Sequence, residues 1–124
     1  MSTDDGPRAG VKLEKLATMA PEFREHGTVT AANCCPLNDG AAALVIMSDT
    51  KAKELGLKPL ARIVSTGVAA MTPELMGLGP VDAVKRALAN AKMSIKDMDI
   101  MELNAAFAAQ VLPSIDDIGL DPDK

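Results

Sequence analysis

At 124 residues and 12.9 kDa the chain has room for one modest domain and not for two ordinary ones. A hydrophobic fraction of 48% beside a charged fraction of 24% excludes wholesale disorder. Thirteen basic residues against seventeen acidic ones give a net charge of −4, so the composition predicts neither a nucleic-acid partner nor an anionic membrane surface. The longest uncharged run, 103–115, is too short to span a bilayer, and no apolar stretch follows a basic start at the N-terminus. A soluble, cytoplasmic protein is the expectation. Trp and Tyr are absent, Phe occurs twice and Met eight times, so any core is assembled from small and flexible side chains. The two cysteines, Cys34 and Cys35, are neighbours, and His26 is the sole histidine. These residues predict no disulfide framework and no metal site.

In chain order, Asp4 to Pro7 reads as a turn, and Leu13, Leu16, Ala17 and Ala20 recur at a helical period. Thr28 to Thr30 is β-prone, and NCCPLNDG (33–40) is dense in turn formers, a loop with a definite shape. The apolar run 42–47 predicts a strand buried on both faces. Ser48 then caps a helix that Gly56 and Leu57 end. A second strand is expected over 60–68. After the break at Gly77 to Pro80 comes a helix with Val81, Val84, Ala87, Leu88 and Ala91 on one stripe, and Lys85, Arg86 and Asn90 facing water. Ser94 with Asp97 resembles a capping box, 99–103 a third strand, and 105–112 a helix that stops before Pro113. Strands alternating with helices predict an α/β layered fold. Its last helix would return the chain to a further strand, so the layers read as incomplete.

Asn104 is the strongest candidate for chemistry, at the carboxyl end of a predicted strand and ahead of a helix, where open α/β sheets gather ligands. Its amide can orient a water or donate toward an oxyanion, or it can simply cap the helix. Cys34 and Cys35 lack a base within reach, since His26 lies well upstream, and read as unreactive thiols packed in a loop. Met76, between glycines, can face a flexible apolar ligand or fill core. GLG at 77–79 lacks the spacing of a dinucleotide fingerprint.

Four ordered blocks carry a family resemblance: GTVTAANCCPLNDGAAALVIMS (27–48), PLARIVS (59–65), ELMGLGP (74–80) and ELNAAFAAQ (102–110). The first closely resembles the thiolase pattern GTVTAGNASxLNDGAAA, and the others match further thiolase blocks in the same order. DDGPR (4–8) and LEKLA (13–17) resemble the segment that precedes them. The resemblance implies an incomplete thiolase-like layered α/β fold. Residues 1–40 would end the loop domain, 41–76 would supply the last strands and helix of the N-terminal half, and 77–124 would open the C-terminal half.

Thiolases are acyl-CoA acetyltransferases that cleave a 3-oxoacyl-CoA with coenzyme A or run the reverse Claisen condensation. The resemblance therefore implies coenzyme A as a substrate, no covalently bound cofactor, a role in fatty-acid β-oxidation or sterol side-chain breakdown, and association with thiolase subunits. Asn104 falls on the Asn of the family's NEAF motif, which holds an oxyanion-hole water. Phe107 falls on that motif's Phe, and Met76 on the Met of the MGxGP loop, both lining the acyl pocket. Phe23, Cys35 and Leu37 fall on loop-domain positions along bound coenzyme A. Two departures stand out: Ala105 replaces the motif's Glu, and Cys35, followed by Pro36, replaces a residue that is commonly Ser. The family's nucleophilic Cys, its GHP-motif His and its second catalytic Cys have no counterpart in this sequence. Covalent acyl transfer needs a nucleophile and a base, so the sequence predicts no turnover by this chain alone. The alternatives are a non-catalytic acyl-CoA-binding or thiolase-interacting module, or a gene remnant.

Overall fold

The computed structural model describes residue 6 and residues 8–123, so the turn expected over 4–7 rests on residues outside the description. Four α-helices follow in chain order: α1 (Leu13–Leu16), α2 (Asp49–Glu54), α3 (Gly79–Ala91) and α4 (Ala108–Ile118). Short 3-10 helices cover Pro73–Leu78 and Ile95–Asp97. The Pro73–Leu78 turn, α3 and α4 pack against one another and form the folded centre.

Local chemistry explains several of these ends. Ser48 Oγ accepts the Lys51 N–H at 3.1 Å and starts α2. Gly56, with φ of 64°, ends it: its N–H reaches the Lys53 carbonyl, and the Leu57 N–H reaches that of Ala52 at 2.9 Å. α3 stops in the same way, with Lys92 in the left-handed conformation at φ 56° and the Met93 N–H on the Leu88 carbonyl. The expected stripe is present: Val81 is buried, while Val84, Ala87, Leu88 and Ala91 are half-buried. Arg86 and Asn90 have a role beyond facing water. Arg86 Nη1 donates to the Val68 carbonyl at 2.7 Å and Asn90 Nδ2 to that of Thr66 at 3.0 Å. Ser65 Oγ adds a bond to the Ala87 carbonyl at 2.7 Å, so the segment before the 3-10 turn is tied along α3.

Two expectations need correction. The helix placed at 105–112 starts at Ala108 and runs through Pro113 to Ile118. Starting three residues later puts Pro113 in the second turn, where its missing N–H deprives only the exposed Ala109 carbonyl. Asn104 therefore is not the helix cap; Phe107 holds that position, without a side-chain cap bond. The second correction concerns the strands. None of 42–47, 60–68 or 99–103 pairs with another, and among the described residues the β-type pairing is a single bridge between Cys34 and Phe107. A strand forms only by exchanging backbone bonds with a neighbour, and these three segments form no such ladder with one another. Their apolar side chains stand in solvent: Leu44 is 86% exposed and Ile100 81%.

Candidate functional site

The Cys34–Phe107 bridge joins the loop 33–40 to the start of α4. The Cys35 N–H donates to the Ala106 carbonyl at 2.9 Å, and the Ala108 N–H to that of Asn33 at 2.9 Å. Asn33 also holds the loop's entry: its Oδ1 accepts the Thr30 N–H and its Nδ2 donates to the Thr28 carbonyl, each at 2.8 Å. The side chain thus substitutes for backbone partners in a turn, which Asn does readily. These bonds hold the first residues, 33–35, of the loop anticipated from its turn formers. A further bond, from the Glu22 N–H to the Val29 carbonyl, brings the Phe23 turn against Val29, where the β-prone trio 28–30 makes no strand.

This arrangement places the chain's two aromatic rings together. Phe23 and Phe107 meet edge to face with centroids 6.4 Å apart and planes at 74°. Such a pair contributes about 0.5–1.5 kcal/mol beyond the area it buries. The rings line an open cavity of about 350 Å3 whose other walls include Val29, Leu75, Gly77 and Gln110. Its surface is mostly apolar, with Glu74 among the lining residues. Beyond Phe23, Arg24 and Thr28 border a second depression of about 320 Å3.

Gly77 is where the 3-10 turn approaches α4. A methyl there would stand 2.9 Å from Gln110 Cγ and 3.3 Å from its Cβ, so glycine sets how closely the walls meet. Gln110 Oε1 is buried in that contact with no hydrogen-bond partner among the described residues.

The structure brings together some of the candidates and leaves others apart. Phe23 and Phe107 share the cavity, and Cys35 is tied by its backbone beside Phe107 with its side chain exposed. Met76 is 75% exposed and sits between two lining residues without lining the cavity itself. Leu37 and Asn104 are exposed and line neither depression. Val29, Leu75 and Gln110 were not singled out from the sequence, although all three fall inside the matched blocks. No cluster of metal-binding side chains occurs among the described residues.

By fold, the chain is a stretch of a thiolase-like layered architecture. It superposes on a human mitochondrial 3-ketoacyl-CoA thiolase solved in complex with CoA at a TM-score of 0.94 and 43% identity, over 100% of this chain and 32% of that one. The acetyl-CoA acetyltransferase of Bacillus anthracis superposes at 0.92 and 50% identity, over 98% of this chain and 31% of that one. The thiolase N-terminal domain family matches residues 1–50 and the thiolase C-terminal domain family residues 57–124, and the chain belongs to the thiolase family. In sequence it is 52% identical over 122 residues to an acetyl-CoA acetyltransferase of Cupriavidus necator, covering 98% of this chain and 31% of that protein. The chain thus spans about a third of the length of the relatives it matches.

Proposed function

We propose that this chain contributes the coenzyme A and acyl-group wall of a thiolase-type acyl-CoA acetyltransferase, and that alone it binds without turning substrate over. The Phe23–Phe107 pair carries the reading, because two residues far apart in sequence close on one apolar cavity. An apolar wall suits the flexible arm and acyl chain of a CoA ester, and Cys35, Leu37 and Met76, which do not line the cavity, would add to it by family position. Asn104 would hold the water that stabilises a developing oxyanion. Its exposure leaves the amide free to do so, and Ala105 withdraws the carboxylate that the family motif places beside it. The segments 1–40, 41–76 and 77–124 would be the end of the loop domain and the adjoining parts of the two halves.

The test is a pair of measurements on the 124-residue chain. Titration calorimetry with acetyl-CoA should show binding, weakened roughly tenfold by Phe107→Ala through loss of the ring and its partner. Thiolysis of acetoacetyl-CoA should show no rate above buffer. Turnover by the chain alone would overturn the claim that the wall lacks its chemistry, and no heat with acetyl-CoA would overturn the binding role.

A further inference from the structure

Gln110 is the sole glutamine in the sequence, and it stands in a cavity wall that is otherwise mostly apolar. It follows Phe107 by one turn: its N–H reaches the Phe107 carbonyl at 3.0 Å, and both residues line the same space. The stem of the side chain is held from across the cavity. A Cβ on Gly77 would stand 2.9 Å from Gln110 Cγ, so the 3-10 turn already lies against that carbon.

The amide head is the unusual part. Oε1 is buried without a partner among the described residues, and Nε2, which makes no hydrogen bond among them either, is the accessible end of the amide. The orientation follows from the cost of burial. A buried amide oxygen leaves one acceptor atom unmet, whereas the reverse orientation would leave two donors unmet. The N–H2 is thus the end left for the cavity. A methionine of nearly the same length would fill this wall with no unmet group. Packing does not account for the amide, and a ligand that accepts from Nε2 does.

The cavity limits what such a ligand can offer. Its one charged lining residue is Glu74, an exposed carboxylate. A phosphate or carboxylate would be repelled there and would lose hydration on entering. An uncharged carbonyl meets both conditions. A CoA ester carries two kinds, the amides of its arm and the thioester, and the amide oxygen is the stronger acceptor.

We infer that Gln110 Nε2 donates a hydrogen bond to an amide carbonyl of the pantetheine arm, which makes Gln110 the residue that selects amide-bearing arms over plain alkyl thioesters. The inference rests on the acyl-CoA reading above and adds the group that recognises the arm.

The experiment is a proton–nitrogen NMR titration of the whole chain. With one glutamine, its side-chain amide pair is assigned by carbon connectivity alone. S-Acetylpantetheine should move one Gln110 amide proton downfield. S-Acetyl mercaptoethanol, the same acyl group on an arm without amides, should leave both in place. By calorimetry Gln110→Met should bind S-acetylpantetheine roughly fivefold more weakly, with hydrogen exchange of α4 unchanged. The NMR shift is read on the unaltered chain, so it decides the matter even where Gln110→Met perturbs α4. An unmoved Gln110 pair in a chain that binds S-acetylpantetheine would overturn the inference and leave the acyl-CoA reading standing. An equal downfield movement with the mercaptoethanol ester would do the same. No binding of S-acetylpantetheine by the unaltered chain would overturn both.

Discussion

Gly67 shows how one missing side chain organises the centre of the molecule. A Cβ at that position would run into the Ala83 carbonyl oxygen and stand 2.7 Å from the Ala87 nitrogen, both on the backbone of α3. Helix backbone cannot step aside as a flexible side chain can, so the segment would have to leave the helix. Gly67→Val should cost about 1–3 kcal/mol, as overpacking does. It should also break the Ser65, Arg86 and Asn90 bonds together, because all three depend on the same approach. The measurement is hydrogen exchange of α3, and unchanged protection in the valine variant would show that the contact is not a constraint. Gly77 is more forgiving, since it meets the side chain of Gln110 and not a backbone.

At the scale of elements, the best-read features were those decided by local chemistry. Ser48, Gly56 and the box at Ser94 lie in reach of a few residues' sequence, because a cap is satisfied by its own neighbours. Asp97 Oδ2 accepts the Ser94 N–H at 2.7 Å and the Ser94 hydroxyl at 2.8 Å. These two bonds, the backbone one foremost, hold its carboxyl below the usual value near 3.8, with a small opposing effect of burial. A carboxyl lowered on folding stabilises the turn above its unfolded pKa, and the contribution is lost as pH falls through the lowered value. The turn at Ile95–Asp97 should therefore be intact at neutral pH and loosen in acid below about 3.8. Asp97→Asn should flatten that dependence in an NMR titration of the Ser94 amide, and an unaltered acid transition in the variant would assign it to another group.

The start of α4 was not legible, because the Cys34–Phe107 bridge stands at it and the two sides of that bridge are far apart in sequence. The same holds for the cavity. Phe23 and Phe107 could be named from family positions, whereas Val29 and Leu75, though inside the matched blocks, join them only through packing. The runs 42–47, 60–68 and 99–103 were expected as strands from their apolar, β-prone residues, and the structure forms no strand there. Their pairing depends on neighbours that this sequence does not supply.

For the whole molecule, burial is the controlling quantity. Three apolar residues, Ala52, Val81 and Ile118, are buried among those described, and twenty large hydrophobic side chains are exposed. Stability rises with apolar area removed from water, at about 25 cal/mol per Å2, and here most of that area remains wet. The isolated chain should unfold on heating over a broad range instead of through one sharp transition, and it should bind a hydrophobic dye at neutral pH. A single steep calorimetric peak would contradict this. The run AAALVIM (41–47) has the low charge and β-prone character of aggregation-prone segments, and solubility should improve with Val45→Lys.

The contact of Phe23 with Phe107 also makes the molecule its own optical probe. With no Trp or Tyr anywhere in the sequence, the near-ultraviolet aromatic bands of the chain belong to those two rings. Near-ultraviolet circular dichroism therefore reports on the cavity alone: an ordered edge-to-face pair gives resolved vibronic bands, and a separated pair gives none. Adenine absorbs in the same window, so the informative titrant is S-acetylpantetheine, which carries the arm and the acyl group without the nucleotide. Either Phe→Ala change should extinguish the signal of both rings, because each lends the other its asymmetric surroundings.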